Sequence, residues 1–132
     1  HRYFCIVSDG DLNEGSSWEA IMLAGQHGYG NLCMIVDYNK LQALGKSEDI
    51  IDLEELGAKL KLFKWDVLEI NGHKPHEIEE ALNKFPTGTG RPLAVIARTV
   101  KGKGVSFMEN KANWHHGVPN ADQFAAAMKE LV

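Results

Sequence analysis

Polar residues that could do chemistry follow two short apolar runs. Asp9 and Gly10 follow the run Tyr3–Val7 after one serine, and Asn39 follows the run Leu32–Val36. Carboxylate and amide oxygens are hard ligands that suit Mg²⁺ or Ca²⁺, and a metal with open positions would bind a diphosphate. Glycine has no Cβ, so a phosphate can approach its backbone closely. An isolated Asp-Gly pair is more often a plain turn, but together with Asn39 it predicts a metal–diphosphate site.

Strands and helices that could position these residues alternate along the chain. The predicted strands are Tyr3–Val7, Leu32–Val36, Asp66–Ile70 and Leu93–Ala97. The predicted helices are Gly15–His27, Leu53–Leu62, His76–Lys84 and a last one from Asn120 to Leu131. This order predicts an α/β fold, a three-layer α/β/α parallel sheet, because each parallel crossover must cross one face of the sheet. Ligands of such sheets bind beyond the carboxyl ends of the strands, where we expect Asp9 and Asn39 to meet.

Helix starts carry local signals. Ser16 and Glu19 have the spacing of a capping box for the first helix. Asp52 and Asn120 are candidate N-caps of the second and last helices. The stretch 41–49 shows no regular pattern and is expected to be irregular.

Composition limits the class of protein. The chain has 132 residues, of which 44% are hydrophobic and 24% charged, so we assign residues 1–132 to one globular domain with no second domain. Its net charge is −4 and its basic residues are scattered, which argues against nucleic-acid binding. No apolar stretch reaches the roughly 18 to 20 residues that span a bilayer, so no membrane contact is expected.

The cysteines indicate a cellular location, and the first residues indicate a truncated domain. Cys5 and Cys33 both lie inside apolar runs, which favours buried free thiols and a reducing, cytoplasmic location. The first residue is His1, and an apolar run begins almost at once. We therefore expect a domain truncated at its N-terminal side, from which catalytic groups would be missing.

Two further pairs have ordinary explanations. His73 and His76 are three residues apart, but Pro75 signals a helix start, so solvated turn residues are favoured over a zinc site. Lys101 and Lys103 could attract a phosphorylated sugar or simply solubilise a loop. The sequence leaves both interpretations of the lysines open.

Blocks of residues in a fixed order resemble the transketolase family, whose thiamine-diphosphate signature is written G-D-G and, further along, N-N. They are Ser8-Asp9-Gly10, Leu12-Asn13-Glu14-Gly15, Trp18-Glu19-Ala20, Asp37-Tyr38-Asn39, Thr99-Val100-Lys101-Gly102-Lys103-Gly104 and Trp114-His115-His116-Gly117-Val118-Pro119. The resemblance covers essentially the whole chain. Ser8 replaces the first Gly of the signature and Tyr38 the first Asn, but neither position carries the main ligand role.

The resemblance implies a set of cofactor and metal ligands. Thiamine diphosphate and Mg²⁺ would be the cofactors, with Ca²⁺ as the alternative ion. Asp9 and Asn39 would ligate the ion through side-chain oxygens and Leu41 through its carbonyl. Gly10 would donate its N–H to the diphosphate.

Two further roles follow from the resemblance. Glu14 would lie at a dimer interface where the carboxylates of two active sites communicate. His116, in the His-Gly-x-Pro block, would be the catalytic histidine, which stabilises charge or relays protons at the substrate oxygens. His115 is the second choice, because the tandem leaves the register uncertain by one residue.

The resemblance also implies an activity, transfer of a two-carbon ketol unit from a ketose to an aldose, with sugar phosphates as substrates. A homodimer, or pairing with a half that carries the pyrimidine-binding domain, is expected. Because that half is absent, we predict that this chain alone is inactive. The alternatives are a deoxyxylulose-phosphate synthase, a 2-oxo-acid dehydrogenase component, or a non-catalytic dimerising module with a vestigial site.

Overall fold

The computed structural model describes residues 1–131. In this range the strands are β1 (Tyr3–Ser8), β2 (Leu32–Tyr38), β3 (Leu41–Gln42), β4 (Gly45–Lys46), β5 (Asp66–Asn71) and β6 (Leu93–Arg98). The α-helices are α1 (Gly15–His27), α2 (Ser47–Ile50), α3 (Leu56–Leu62), α4 (Pro75–Asn83) and α5 (Ala121–Glu130). Two 3₁₀ turns span Asp11–Asn13 and Ala112–His115.

The main sheet has four parallel strands in the order β1-β2-β6-β5. Their register is level at one edge, because Ser8 lies opposite Asp37 and Tyr38 lies opposite Arg98. The segments that follow β1, β2 and β6 therefore emerge side by side. The short strands β3 and β4 form a separate antiparallel pair just beyond the end of β2.

Helices cover both faces of this sheet. Alternate residues of β2, Met34 and Val36, pack in one core cluster with residues of α1 and α3. Cys33, which directly precedes Met34 and so points to the other face, packs in a second cluster with Ala81 of α4 and with Phe85. Because successive strand residues point to opposite faces, the two clusters lie on opposite sides of the sheet. The predicted three-layer α/β/α parallel sheet is confirmed.

The ends of several elements also agree with the prediction. Each predicted strand is present and extends one or two residues further. At the start of α5, Asn120 Oδ1 accepts a hydrogen bond from the Gln123 backbone N–H at 2.9 Å. The Asn120 N–H donates to Gln123 Oε1 at 2.9 Å, which completes a capping box.

The other two predicted caps are wrong. Helix α1 begins after Glu14, which makes no side-chain cap, so Ser16 and Glu19 form no capping box. The predicted helix from Leu53 begins at Leu56 instead. Asp52 Oδ1 accepts from the Glu54 N–H at 3.0 Å, a local turn that holds the preceding chain in a non-helical path.

Two other expectations need correction. Cys33 is buried but Cys5 is exposed, because β1 is an edge strand of the described sheet and its apolar side chains are only partly covered. The stretch 41–49 is not irregular, since it forms the β3–β4 hairpin and the start of α2. No helix in residues 1–131 is long and apolar enough to cross a bilayer.

Helix α1 packs so closely on the segment after α3 that one glycine is required. A Cβ on Gly25 would lie 1.8 Å from the carbonyl oxygen of Phe63, whereas a Cβ on Gly15 would meet nothing within 4 Å. The space at Gly25 is closed by backbone, which cannot move aside as the end of a side chain can. Gly25 therefore sets the distance between the two segments.

We expect Gly25→Ala to destabilise the fold by about 1 to 3 kcal/mol, because the added methyl group must displace backbone. The matched control Gly15→Ala should be neutral or stabilising by up to about 1 kcal/mol, since alanine favours the helix. Urea unfolding followed by circular dichroism measures both changes. Equal effects from the two substitutions would contradict the close packing at Gly25.

Candidate functional site

Asp9 and Asn39 lie next to each other at the carboxyl edge of the sheet, as predicted. Asp9 follows β1 and is fully buried. Its Oδ1 accepts a hydrogen bond from the Asn39 backbone N–H at 3.2 Å, and its Oδ2 accepts from Ser47 Oγ at 2.9 Å. Asn39 Oδ1 in turn accepts from the Leu41 N–H at 2.9 Å. The structure thus brings all three predicted ligand residues into one hydrogen-bonded group.

The turn between Asn39 and Leu41 has an unusual backbone. Lys40 adopts the left-handed conformation, with φ of 62°, which few non-glycine residues adopt. Its carbonyl accepts from the Ser47 N–H at 3.0 Å, and its Nζ lies 2.8 Å from Glu54 Oε1. These contacts, one at the base of the β3–β4 hairpin and one at its flank, hold the turn in place.

The electrostatics of Asp9 are unfavourable without an added cation. Burial raises the pKa of this carboxyl above its ordinary value of 3.8, although hydrogen bonds from Ser47, Lys40 and Asn39 oppose the rise. Within residues 1–131, no Lys, Arg or His side chain forms an ion pair with Asp9.

A raised pKa means that the folded chain binds the Asp9 proton more readily than the unfolded chain does. The contribution of Asp9 to stability therefore falls as the pH rises through the window between 3.8 and the raised value. The ionised form of the Asp9 carboxyl is therefore a cost to the fold, and a bound cation would relieve it.

A cavity of about 530 Å³ opens directly in front of this group. Among its lining residues are Gly10, Glu14, Asn39, Leu41, Lys101 and His115. Gly10 has an ordinary helical φ of −62°, and a Cβ there would make only van der Waals contact with Gln42 and Ser8, so backbone strain does not require glycine at this position. The absence of a side chain at Gly10 leaves room in the cavity.

The predicted histidine pair is divided by the structure. His115 lines the cavity at the end of the second 3₁₀ turn. His116 is not among the lining residues and meets the His115 ring edge-on, with centroids 4.6 Å apart. Partial desolvation, with further contributions from Lys101 and His116, lowers the pKa of His115, which favours its neutral form.

Three residues at the site have no assigned role in the sequence prediction. Ser47 has no recognisable spacing, and only the fold brings it to Asp9. Gln42 Nε2 donates to Asn13 Oδ1 at 2.9 Å and ties the hairpin to the turn after β1. Lys101, which the sequence leaves open as a phosphate-attracting or solubilising residue, does line the cavity.

The metal chemistry open to this site is limited by its donors. Residues 1–131 contain no cluster of three or more His, Cys, Asp or Glu side chains that could hold a metal. His73 Nε2 instead accepts from the Val100 N–H at 2.7 Å, which leaves it a loop-fixing role. An ion at Asp9 would be held by a carboxylate, an amide oxygen and a backbone carbonyl, which is a set suited to Mg²⁺ or Ca²⁺.

Comparison with known proteins identifies the class. Residues 1–132 match the family model described as the thiamine diphosphate binding domain of transketolase. The chain therefore belongs to the transketolase family, as the motifs indicate.

Individual relatives refine the comparison. The chain is 39% identical over 131 residues to an apulose-4-phosphate transketolase subunit of Phocaeicola vulgatus, covering 99% of this chain and 47% of that protein. It is 38% identical over 128 residues to a 6-deoxy-6-sulfo-D-fructose transketolase subunit of a Clostridium species, covering 97% of this chain and 46% of the relative. The chain thus spans about half the length of these relatives.

A solved structure agrees with the fold. The crystal structure of transketolase from Campylobacter jejuni superimposes with a TM-score of 0.90 at 32% identity. The match covers 99% of this chain and 20% of that one.

Proposed function

We propose that this chain provides the metal–diphosphate part of a thiamine diphosphate site and takes part in transfer of a two-carbon ketol unit from a ketose to an aldose. The observation that carries the proposal is the fully buried carboxylate of Asp9, which lies beside Asn39 and faces no cation of its own chain within residues 1–131. A divalent ion would neutralise this charge, and the oxygen donors around it suit Mg²⁺ or Ca²⁺. Membership of the family supports thiamine diphosphate as the cofactor.

Each residue at the site has a proposed task. Asp9, Asn39 and the Leu41 carbonyl hold the ion, while the Gly10 N–H and the Lys101 ammonium bind diphosphate oxygens from the cavity side. When bound, thiamine diphosphate supplies an electron sink for carbon–carbon bond cleavage, which the protein mainly positions. The hydrogen bonds that already fix Asp9 orient the site before anything binds.

The histidine pair supplies a polar group to the lining of the cavity through His115. His116 matches the active-site histidine of the family motif, whereas His115 is the ring that lines the cavity. A neutral imidazole can donate a hydrogen bond to a substrate or diphosphate oxygen and can exchange a proton there. We assign this role to the pair, with His115 as the cavity-facing member.

The active site requires a second chain or half. Two relatives are named as subunits of apulose-4-phosphate transketolase, and this chain covers 47% of each. We propose that this chain likewise pairs with a second copy or with a different subunit, and that the assembly acts on sugar phosphates. Glu14 is exposed at the start of α1 and lines the open cavity, a position compatible with the predicted interface role.

The other candidate functions have less support. Deoxyxylulose-phosphate synthases and 2-oxo-acid dehydrogenase components share the cofactor, but the relatives named above are transketolase subunits, and human transketolase is a further match at 32% identity. A non-catalytic dimerising module would keep the fold without using the buried carboxylate. Ligand binding by Asp9 distinguishes that module from the enzyme.

Thiamine diphosphate and Mg²⁺ together, but neither alone, are expected to raise the melting temperature of the purified chain. At 100 times the dissociation constant the stabilisation is about 2.7 kcal/mol, which corresponds to several degrees for a domain of this size. Asp9→Ala should abolish the shift, because the ion loses its charged ligand. Thermal unfolding, after circular dichroism has confirmed folding, measures both.

Two controls accompany this experiment. Asp9→Asn keeps the shape of the side chain and should also weaken the shift, whereas Asp122→Ala, on helix α5 and not among the residues that line the cavity, should not. Light scattering is expected to show the same association state for all variants. An unchanged shift in a folded Asp9→Ala chain would rule out the metal assignment and favour the dimerising module.

The two histidines can be separated by the same measurement. We expect His115→Ala to weaken the joint thiamine diphosphate and Mg²⁺ shift more than His116→Ala, since His115 is the residue that lines the cavity. Titration of thiamine diphosphate at saturating Mg²⁺ gives the apparent affinity of each variant. A larger loss for His116→Ala would return the role to His116, as the motif predicts.

The purified chain by itself is expected to show no ketol transfer, because half of the site is supplied from outside it. The measurement is aldose-dependent consumption of a ketose phosphate in the presence of both cofactors. The control is the same assay with a complete transketolase. Turnover by this chain at a comparable rate would show that no second half is needed.

A further inference from the structure

Ser47 and Asp9 form an isolated buried polar pair. They are the buried polar or charged residues among those the structure describes, and Ser47 is only 3% exposed. The Ser47 Oγ donates to Asp9 Oδ2 at 2.9 Å across 38 positions of sequence. A hydrogen bond to a buried carboxylate is stronger than one between neutral groups, so this contact strongly restricts the Asp9 side chain.

The backbone of Ser47 is itself fixed on both sides. Its N–H donates to the Lys40 carbonyl at 3.0 Å, and its own carbonyl accepts from the Ile51 N–H at 3.0 Å. The first bond closes the base of the β3–β4 hairpin, and the second closes helix α2. Ser47 therefore presents its hydroxyl from a rigid support.

The two oxygens of Asp9 are held from different elements. The Asn39 N–H, at the end of β2, bonds Oδ1, and Ser47, at the start of α2, bonds Oδ2. With both oxygens bonded, rotation of the carboxylate about its Cβ–Cγ bond is blocked. A carboxylate has about four lone-pair positions, so these contacts leave others for an ion.

Ion pairs beside the β3–β4 hairpin also help to fix the turn that holds Ser47. Glu54 Oε1 lies 2.8 Å from Lys40 Nζ and 3.7 Å from Arg98 Nη1. The side chain of Arg98 also lies over the Tyr38 ring, 5.3 Å from its centroid. This network restrains the turn whose carbonyl anchors Ser47.

We propose that Ser47 is a positioning residue for the divalent ion, holding the Asp9 carboxylate in the orientation that the ion requires. This inference rests on the proposed function, since it assumes that Asp9 binds an ion. Ser47 bonds the carboxylate and is not among the residues that line the cavity.

The preference of the site for Mg²⁺ or Ca²⁺ tests the positioning role of Ser47. Mg²⁺ demands near-ideal octahedral geometry at short distances, whereas Ca²⁺ accepts variable geometry and longer distances. A carboxylate that is free to rotate would therefore serve Ca²⁺ better than Mg²⁺. Ser47 would act as a determinant of preference for Mg²⁺ over Ca²⁺.

The test compares the two ions in the purified chain. Melting temperatures are recorded against MgCl₂ and against CaCl₂ at saturating thiamine diphosphate, and each series gives an apparent ion affinity. For Ser47→Ala we expect the Mg²⁺ affinity to fall about 10- to 100-fold, the usual effect of losing an outer contact of a ligand. The Ca²⁺ affinity should fall by a smaller factor, so the ratio of the two affinities changes.

Two variants serve as references. Ser47→Thr keeps the hydroxyl and should keep the ratio of the unsubstituted chain. Ser16→Ala removes an exposed serine of α1 and should change neither affinity. Because the ratio compares two ions on the same variant, a general loss of stability cancels from it.

The possible results separate the two proposals. An unchanged Mg²⁺ to Ca²⁺ ratio in Ser47→Ala, or the same change in Ser47→Thr, would overturn the role of Ser47 while leaving the proposed function intact. Absence of any ion-dependent shift in the unsubstituted chain would overturn the proposed function and this inference with it.

Discussion

Burial of one carboxylate without a cationic partner is the constraint around which the site is arranged. Asp9 is fully enclosed at the end of β1, and its pKa is raised because burial disfavours the charged form. Within residues 1–131 the chain offsets part of this cost with hydrogen bonds from Asn39 and Ser47 rather than with a lysine or arginine. A cationic side chain beside Asp9 would remove the attraction of the carboxylate for an ion. The buried charge that destabilises the fold is therefore also the charge that would bind the ion.

The parallel sheet is what makes such an arrangement possible. In an antiparallel pair the ends of neighbouring strands point in opposite directions, whereas β1 and β2 run parallel in level register and place Ser8 opposite Asp37. The residues that follow, Asp9 and Asn39, therefore meet at the same edge of the sheet. Apolar side chains on both faces of the strands leave the strand ends as the natural place for polar groups.

How much of this could be predicted depends on the range of the interactions involved. The strands, and the meeting of Asp9 with Asn39, follow from local patterns and the rule of parallel ends. Ser47 could not be found, because its role depends on a contact 38 residues away that the hairpin creates. The predicted start of α3 is wrong because Asp52 bonds the Glu54 N–H in a turn, and a spacing pattern does not distinguish a turn-forming Asp from a helix cap.

The proposed division of the site between two chains would affect binding and chemistry differently. The groups that fix Asp9 all belong to this chain, so the end that would hold the ion and diphosphate is preorganised without a second half. The opposite side of the cavity is open, and its rim includes Leu44, which is 89% exposed. An open site leaves water in contact with reacting groups and weakens their electrostatic interactions. Under the proposed function, affinity for the cofactor can therefore reside in this chain, whereas catalysis would require a surface that closes the cavity.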